Sequence, residues 1–296
     1  MHFEKMIRTE LDADPATVMA PVSGLLGGAD LAVVNLETAV TTRGTPAPKA
    51  FTFRAPDTAF DALRAAGVDA VTMANNHGMD FGTVGLDDSL AAAEAKAFPV
   101  VGIGRDEDQA FAPWITEVKG QRIALIGATQ VLDSNLLTAW TATETQGGLA
   151  SAKRVDRLLE AVRSARAAAD TVVVVLHWGT EKQTCPNERQ RELAPQLVEA
   201  GADVVVGSHA HRVLGGGMMG DAVVHYGLGN FVFYTPGGPG TDSGVFTVSA
   251  TGRRIEGYDW APAQIQGGVP IPLEGAAAAA AEASWDALRD CTGLTP

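Results

Sequence analysis

The sequence has few cysteines and no long apolar run, and both deficits narrow what the protein can be. Only Cys185 and Cys291 occur in 296 residues. This excludes a disulfide framework and any cysteine-rich zinc or iron–sulfur site, and we expect two inert thiols. No stretch of about 18 apolar residues exists, so no transmembrane helix is predicted. The first residues lack a basic segment followed by an apolar one, so we expect no signal peptide and a cytoplasmic location.

The chain also has fewer positively charged than negatively charged residues. The chain has 22 Lys and Arg against 35 Asp and Glu, a formal net charge of −13. Nucleic acids and anionic membranes both attract positive charge, so this balance argues against either as a partner. The remaining composition, with 46% hydrophobic and 19% charged residues, is that of a globular protein long enough to bury a core.

Short apolar runs alternate with amphipathic segments over the first two thirds of the chain. Runs such as 172–176 predict strands covered on both faces. Helices are predicted over 57–66, 84–96, 151–169 and 187–200, and an Ala-rich surface helix over 274–290. After residue 220, Gly- and Pro-bounded segments predict antiparallel strands at 222–226, 231–234, 244–249 and 255–260. The pattern predicts one layered α/β domain whose second half adds antiparallel strands.

Polar residues cluster directly after four predicted strands. These strand ends carry Glu37, the Asn75-Asn76-His77 run, His177, and the His209-Ala210-His211 run. In layered α/β folds, ligands bind at the carboxyl ends of strands, so we expect one shared site. Four of the six histidines lie in these segments. Imidazole, carboxylate and amide oxygen together suit Zn, Mn or Fe, so the sequence predicts a divalent transition-metal site.

Six segments resemble motifs of the CapA family of poly-gamma-glutamate capsule-synthesis proteins, part of the calcineurin-like metallophosphoesterase superfamily. They are NLET (35–38), ANNHGMD (74–80), GLDDSL (85–90), HWGTE (177–181), GSHAH (207–211) and YGLGNFVF (226–233). The resemblance runs from about residue 30 to 246, roughly three quarters of the chain. It implies a bacterial protein of capsule synthesis with an α/β/β/α sandwich and a two-metal site.

The resemblance also implies roles for the residues that match the motifs. His77 would act as a catalytic acid or stabilise the transition state, and Glu37 lies where the superfamily has a bridging Asp. His209 and His211 would bind different metal ions. The implied ligands of one or two Mn, Fe or Zn ions are Glu37, Asn76, His177, His209 and His211.

Four residues beside these motifs have two interpretations each. Asp80 could orient the His77 imidazole, as carboxylates behind functional histidines do, or begin a helix. Arg212 could bind a carboxylate or phosphate of the substrate, or form a surface salt bridge. Trp178 could line the substrate cleft or pack in the core. Glu181 is similarly ambiguous.

The sequence departs from the family pattern at its start. Family members begin with an apolar strand that ends in Gly-Asp, whose Asp binds the first metal, and we find no such segment. We therefore expect a fold that lacks the first core strand. One metal position would keep four ligands and the other only Glu37 and His211, which predicts a weakened, mononuclear or metal-free site. Either the start codon is assigned too far downstream or the strand is lost; the first is favoured, because deleting a core strand unpairs its neighbours.

The sequence divides into an N-terminal, partly helical segment (1–30), a CapA-like domain (31–262), and a C-terminal linker with the Ala-rich helix (263–296). We expect a metal-dependent hydrolase that acts on a phosphate ester or a polyglutamate- or peptide-like substrate. One alternative is a metal-independent acid/base enzyme, such as a peptide epimerase, that uses His77 and His177. Another is a non-catalytic subunit of polymer synthesis. Family members often act at the cell surface, and the substrate and oligomeric state stay open.

Overall fold

Helices and short strands alternate along residues 1–235 and 237–296, which the computed structural model describes. The helices are α1 (Met6–Ala13), α2 (Ala20–Leu26), α3 (Thr58–Ala65), α4 (Gly82–Ala95), α5 (Glu107–Phe111), α6 (Leu137–Trp140), α7 (Val155–Ala168), α8 (Glu188–Ala200) and α9 (Gly275–Ala287). The strands are β1 (Val33–Asn35), β2 (Ala39–Val40), β3 (Arg54–Ala55), β4 (Ala70–Thr72), β5 (Val100–Val101), β6 (Ile103–Gly104), β7 (Trp114–Val118), β8 (Gln121–Thr129), β9 (Gly148–Leu149), β10 (Thr171–Trp178), β11 (Val204–His209), β12 (Gly216–Met219), β13 (Ala222–His225), β14 (Asp242–Thr251), β15 (Arg254–Gln266) and β16 (Val269–Pro272).

Two sheets pack face to face and confirm the predicted layered α/β fold. The larger sheet has the order β12-β13-β11-β10-β8-β7, and β8, β10, β11 and β13 are parallel. The smaller sheet has the order β1-β4-β5, also parallel. A thin apolar layer that includes Ala70, Val101, Leu125 and Val175 lies between the sheets. Helices α7 and α8 cover the outer face of the larger sheet, and residues of α1 to α4 pack into a second core.

A third sheet, β14-β15-β16, is antiparallel, as the sequence predicts for this part of the chain. Strand β15 crosses the expected domain boundary at 262, and β16 pairs with it, so residues 263–272 belong to this sheet. The predicted strand at 231–234 is wrong, because the backbone there bonds to separate partners instead of one ladder. The N–H of His2 donates to the Val232 carbonyl, and that of Phe233 donates to the Gly268 carbonyl. None of the helices in the described residues is both long and apolar enough to cross a bilayer.

The two cysteines form a disulfide, so the expectation of inert thiols is wrong. Cys185 and Cys291 are 106 residues apart in sequence, with their Cα atoms 5.7 Å apart. The bond ties the loop before α8 to the turn after α9. Arg191 of α8 reinforces this attachment, because its guanidinium donates to the Cys291 carbonyl at 2.6 Å. The C-terminal segment is thus fixed to the main domain by a covalent bond.

We expect reduction of this disulfide to destabilise the fold by about 2–4 kcal/mol, because the unfolded chain regains the freedom of a long closed loop. Urea denaturation with and without dithiothreitol measures the difference. The Cys185→Ser/Cys291→Ser double variant is the control and should match the reduced protein whether or not reductant is present. Equal unfolding midpoints for oxidised and reduced wild type would contradict the prediction.

Helix α9 docks through an indole–imidazole contact. Trp285 Nε1 donates to His225 Nε2 at 3.0 Å, and the Trp285 ring stacks on Trp260 with centroids 5.9 Å apart. His225 is fully buried on β13, and burial lowers its pKa to about 3. The imidazole is therefore neutral in the folded protein at every pH where the protein is commonly handled.

The buried His225 should make stability fall as the pH drops from about 6.5 towards 3. In this window the unfolded chain binds a proton that the folded chain does not, so each pH unit costs about 1.4 kcal/mol. His225→Gln keeps an acceptor for Trp285 and should flatten the pH dependence of the unfolding free energy by this amount. Trp285→Phe keeps the ionisable group and should leave the slope unchanged. Parallel curves for wild type and His225→Gln would refute the prediction.

Candidate functional site

The carboxyl ends of strands from both sheets meet at one place, joined by hydrogen bonds between side chains. Asn75, which follows β4, donates to Asn35 Oδ1 on β1 at 2.9 Å. Asn35 Nδ2 lies 3.2 Å from His177 Nδ1 on β10, and that nitrogen lies 3.1 Å from Ser208 Oγ on β11. Asn35, Asn75 and Ser208 are positioning residues that the motif interpretation did not identify. Their chain of contacts fixes the His177 ring with Nε2 facing the site.

Three predicted ligands come together around this ring. Glu37, His177 and His209 each offer an atom, and these atoms lie within 4.8 Å of one another. A fourth, Asn76 Oδ1, lies 2.8 Å from His177 Nε2, while Glu37 Oε1 lies 3.6 Å from the same nitrogen. The structure thus brings together the four residues expected to form one metal position.

His211, the fifth predicted ligand, lies in a second group with an unexpected member. Ligand atoms of Glu181, His209 and His211 also lie within 4.8 Å of one another. Glu181 follows β10 closely, and its sequence context left its role open. The expectation that His211 would have only Glu37 as a companion is therefore incomplete.

Buried polar atoms without partners test whether this cluster fits a cation. Glu37 Oε1 and His209 Nδ1 are buried and have no hydrogen-bond partner among the described residues. Such atoms cost free energy, and a cation among them would satisfy both. The imidazole, carboxylate and amide donors also match a divalent transition metal. These residues therefore fit the divalent metal ion that the family resemblance implies.

Backbone strain occurs at the same place. His209 has a φ of 93° and His211 a φ of 53°, in the left-handed region that non-glycine residues seldom adopt. Each such residue costs on the order of 1–3 kcal/mol, and such strain concentrates at functional sites. The strain turns both imidazoles toward the cluster.

Burial sets the ionisation of the cluster. Desolvation lowers the pKa of His177 and of His209, which keeps both imidazoles neutral. Burial alone would raise the pKa of Glu37, but its interactions with His177 and His211 hold that pKa below its ordinary value. Neutral imidazoles beside an ionised carboxylate are the forms that bind metal.

A second network holds His77 beside the cluster. His77 Nδ1 lies 2.6 Å from Asp80 Oδ2, which also accepts from the Phe53 N–H at 2.6 Å. Lys49 Nζ lies 3.0 Å from Asp80 Oδ1 and donates to the Asn76 carbonyl. Asp80 thus contacts the His77 imidazole, which is the first of its two interpretations. It does not begin a helix, because α4 begins two residues later, at Gly82. Lys49 lies in a loop without a recognisable pattern, so no sequence signal points to it.

Arg212 and Trp178 occupy different surroundings. The Arg212 guanidinium donates to the His211 carbonyl at 2.7 Å, so it lies beside the cluster. Trp178 is fully buried. Its indole N–H donates to the Tyr226 carbonyl, and its ring stacks on the Tyr226 ring. The structure places Trp178 in the core and not at the cleft wall, because its position on β10 directs the indole toward the layer of α8.

A partly apolar groove opens onto the cluster. Its walls include Val34 of β1, Leu228, and Phe246 of β14, and its inner end includes Glu37 and His209. The groove gives the ligand cluster a path to the surface.

We expect Lys49→Met to destabilise the protein by about 3 kcal/mol, because it leaves the Asp80 carboxylate buried without its cation. The side chain of Lys49 is 9% exposed and that of Asp80 is 0% exposed. Urea denaturation measures the loss, and adding Asp80→Asn should recover part of it.

The matched control is Lys119→Met, which removes an exposed ion pair with Asp30. It should cost less than about 1 kcal/mol. Equal losses for the two lysine variants would contradict a buried pair at Lys49.

The fold and the site together define a layered α/β protein with a histidine–carboxylate centre at the strand ends. A family model described as bacterial capsule synthesis protein PGA_cap matches residues 1–235. The chain belongs to this family.

Named relatives agree with this assignment. The capsule biosynthesis protein CapA of Bacillus anthracis is 32% identical over 219 residues, 73% of this chain and 52% of the relative. The PGA biosynthesis protein CapA of Bacillus subtilis (strain 168) is 31% identical over 202 residues, 68% of this chain and 52% of the relative. The chain thus spans about half the length of these relatives.

The fold also has a solved counterpart. A hypothetical protein from Thermus thermophilus superposes with a TM-score of 0.51 at 17% identity, covering 86% of this chain and 94% of that one. At this identity the likeness concerns the fold alone.

Proposed function

We propose that this chain is a metal-dependent hydrolase of the metallophosphoesterase type that acts on a phosphate ester in capsule or poly-gamma-glutamate synthesis. One observation carries the proposal: Glu37 Oε1 and His209 Nδ1 are buried without partners among the described residues, and Glu37, His177 and His209 each offer a ligand atom within 4.8 Å of the others. A site that only transferred protons would need these atoms hydrogen-bonded, whereas a cation satisfies them together.

The ligands of this cation would be Glu37, Asn76, His177 and His209. A divalent cation supplies Lewis-acid activation of a phosphoryl group and of water. The contacts of His177 Nδ1 with Asn35 and Ser208 hold the ring so that Nε2 would face the metal. The neutral histidines need no deprotonation before they bind.

His77 is the proposed general acid. Asp80 holds its Nδ1, so Nε2 is the nitrogen that gives a proton to the leaving oxygen. Phe53 stacks on the ring, with centroids 4.1 Å apart, and fixes its plane. Arg212 is the proposed contact for a phosphate or carboxylate group of the substrate. The same arrangement would serve the amide of a polyglutamate-like substrate.

The disulfide bears on the compartment. Disulfides form and persist in oxidising compartments and are rare in the cytosol. The Cys185–Cys291 bond therefore favours a location outside the cytoplasm for the proposed hydrolase.

Hydrolysis of p-nitrophenyl phosphate tests the proposal. We expect turnover with Mn²⁺ that EDTA abolishes, because the buried ligand atoms need the ion. His209→Ala should lower kcat/KM by at least about 100-fold through weaker metal binding. His225→Gln is the matched control, since it changes a buried histidine outside the site.

The alternatives have different outcomes. Turnover of a peptide substrate that EDTA leaves unchanged would favour the metal-independent acid/base enzyme. Tight binding of polyglutamate without turnover of either the polymer or the ester would favour the non-catalytic subunit. Either result would overturn the hydrolase proposal.

A further inference from the structure

The imidazole of His2 lies in a cage of aromatic rings. Its ring centroid lies 4.5 Å from that of Phe53, 4.3 Å from that of Phe233 and 4.8 Å from that of Tyr234. The residue is 0% exposed, and neither ring nitrogen has a hydrogen-bond partner among the described residues. An apolar ring would fill this space without the cost of two unpartnered nitrogens, so packing does not explain a histidine here.

The cage adjoins the candidate site, because two of its rings also contact site histidines. Phe53 stacks on His77 with centroids 4.1 Å apart, and the centroid of Phe233 lies 4.9 Å from that of His211. His2 therefore shares one aromatic neighbour with the proposed general acid and another with the His-x-His run. The motifs that predict the site do not include this residue.

Backbone hydrogen bonds hold His2 at the end of β1. The carbonyl of Met1 accepts from the N–H of Glu37 at 2.7 Å, and the N–H of His2 donates to the Val232 carbonyl at 3.0 Å. The first bond involves a proposed metal ligand, and the second involves the segment 231–235, which carries two of the cage rings. The main chain thus sets the position of the imidazole beside the cluster.

One side of the cage belongs to no sheet. Residues 231–235 form no ladder with the strands of the described residues, and Tyr234 is partly exposed. The Tyr234 ring can therefore move aside without breaking any strand pairing. A substrate oxygen would reach the imidazole from this side.

Burial keeps this imidazole neutral. It lowers the pKa of His2 to about 3, and the attraction of nearby Glu37 does not reverse that shift. A neutral imidazole has one N–H donor and one acceptor nitrogen. His77 differs, because Asp80 contacts its Nδ1 at 2.6 Å and can stabilise a charged ring. The environments of the two histidines thus suit His77 to proton transfer and His2 to hydrogen bonding without transfer.

We propose that His2 is a further substrate-contacting residue, whose neutral imidazole donates its N–H to a non-bridging phosphoryl oxygen beside His77. The proposal rests on the proposed function, since it assigns a contact in the same site. A donor that the protein holds in place before the substrate arrives stabilises negative charge on such an oxygen in the transition state. The substrate would also satisfy a ring nitrogen that the described residues leave without a partner.

Replacing His2 by phenylalanine separates this role from packing, because the ring stays and both nitrogens are removed. For His2→Phe we expect a higher unfolding midpoint, since these polar atoms are no longer buried. We also expect kcat/KM for p-nitrophenyl phosphate with Mn²⁺ to fall by at least about tenfold. Calorimetry with inorganic phosphate and the Mn²⁺-loaded protein should show weaker binding. The affinity for Mn²⁺ itself should not change, because His2 lies outside the ligand group.

Two further variants complete the design. His2→Gln keeps an N–H donor and should retain more activity than His2→Phe. His225→Phe is the matched control, because it makes the same change at a buried histidine that stacks on Trp285, outside the site. It should leave kcat/KM unchanged and lower the unfolding midpoint, since Trp285 Nε1 loses its acceptor. Circular dichroism checks that each variant is folded.

Each other outcome has a definite meaning. Wild-type kcat/KM and phosphate binding in His2→Phe would overturn the substrate contact and leave the proposed hydrolase standing. Weaker Mn²⁺ binding in His2→Phe would indicate a metal ligand and overturn the donor role. Equal losses of activity in His2→Phe and His2→Gln would also contradict a donor. No turnover by wild type with Mn²⁺ would overturn the hydrolase proposal, and phosphate binding would then decide the role of His2 by itself.

Discussion

The parallel register of β10 and β11 is the constraint on which the site depends. It pairs His177 with Ser208 and Trp178 with His209. In a regular strand pair His209 would face the same side as Trp178, which is buried in the core. The φ of 93° at His209 breaks this alternation and turns its imidazole toward His177. A one-residue change of register would move every one of these side chains to the opposite face.

Conflicts with local rules concentrate at the site. Glu37 and His209 each keep a buried polar atom without a partner among the described residues, as His225 also does elsewhere in the core, and at the site strained backbone accompanies them. Natural sequences accept such conflicts mainly where function requires them. The apolar layer between the two sheets contributes stability that offsets the strain at His209 and His211. The strands that form the core of the fold therefore also hold the site residues in position.

The sequence predicts most of the central architecture because the strands at 172–176 and 204–206 are apolar on both faces and end in polar residues. His177 and His209 follow from those strand ends, and Glu37 follows from the end of β1. Long-range pairings are not visible in this way: nothing local joins Cys185 to Cys291, or Lys49 to Asp80. The aromatic segment 231–234 has the composition of a strand, but its side chains pack on His2, and no ladder forms. The position of Glu181 depends on another such contact, because the N–H of Lys182 donates to the Ala210 carbonyl of the neighbouring loop.

The charge of the chain gives the proposed metal position a second significance. With a net charge of −13, the protein as a whole repels polyanions. Near the cluster, Lys49 is paired with Asp80, and the Arg212 guanidinium donates to the His211 carbonyl. A divalent cation at the cluster would more than offset the carboxylate of Glu37 and would turn the inner end of the groove positive. Metal binding would then govern substrate attraction as well as chemistry, because an acidic protein would bind an anionic substrate only where the cation is in place.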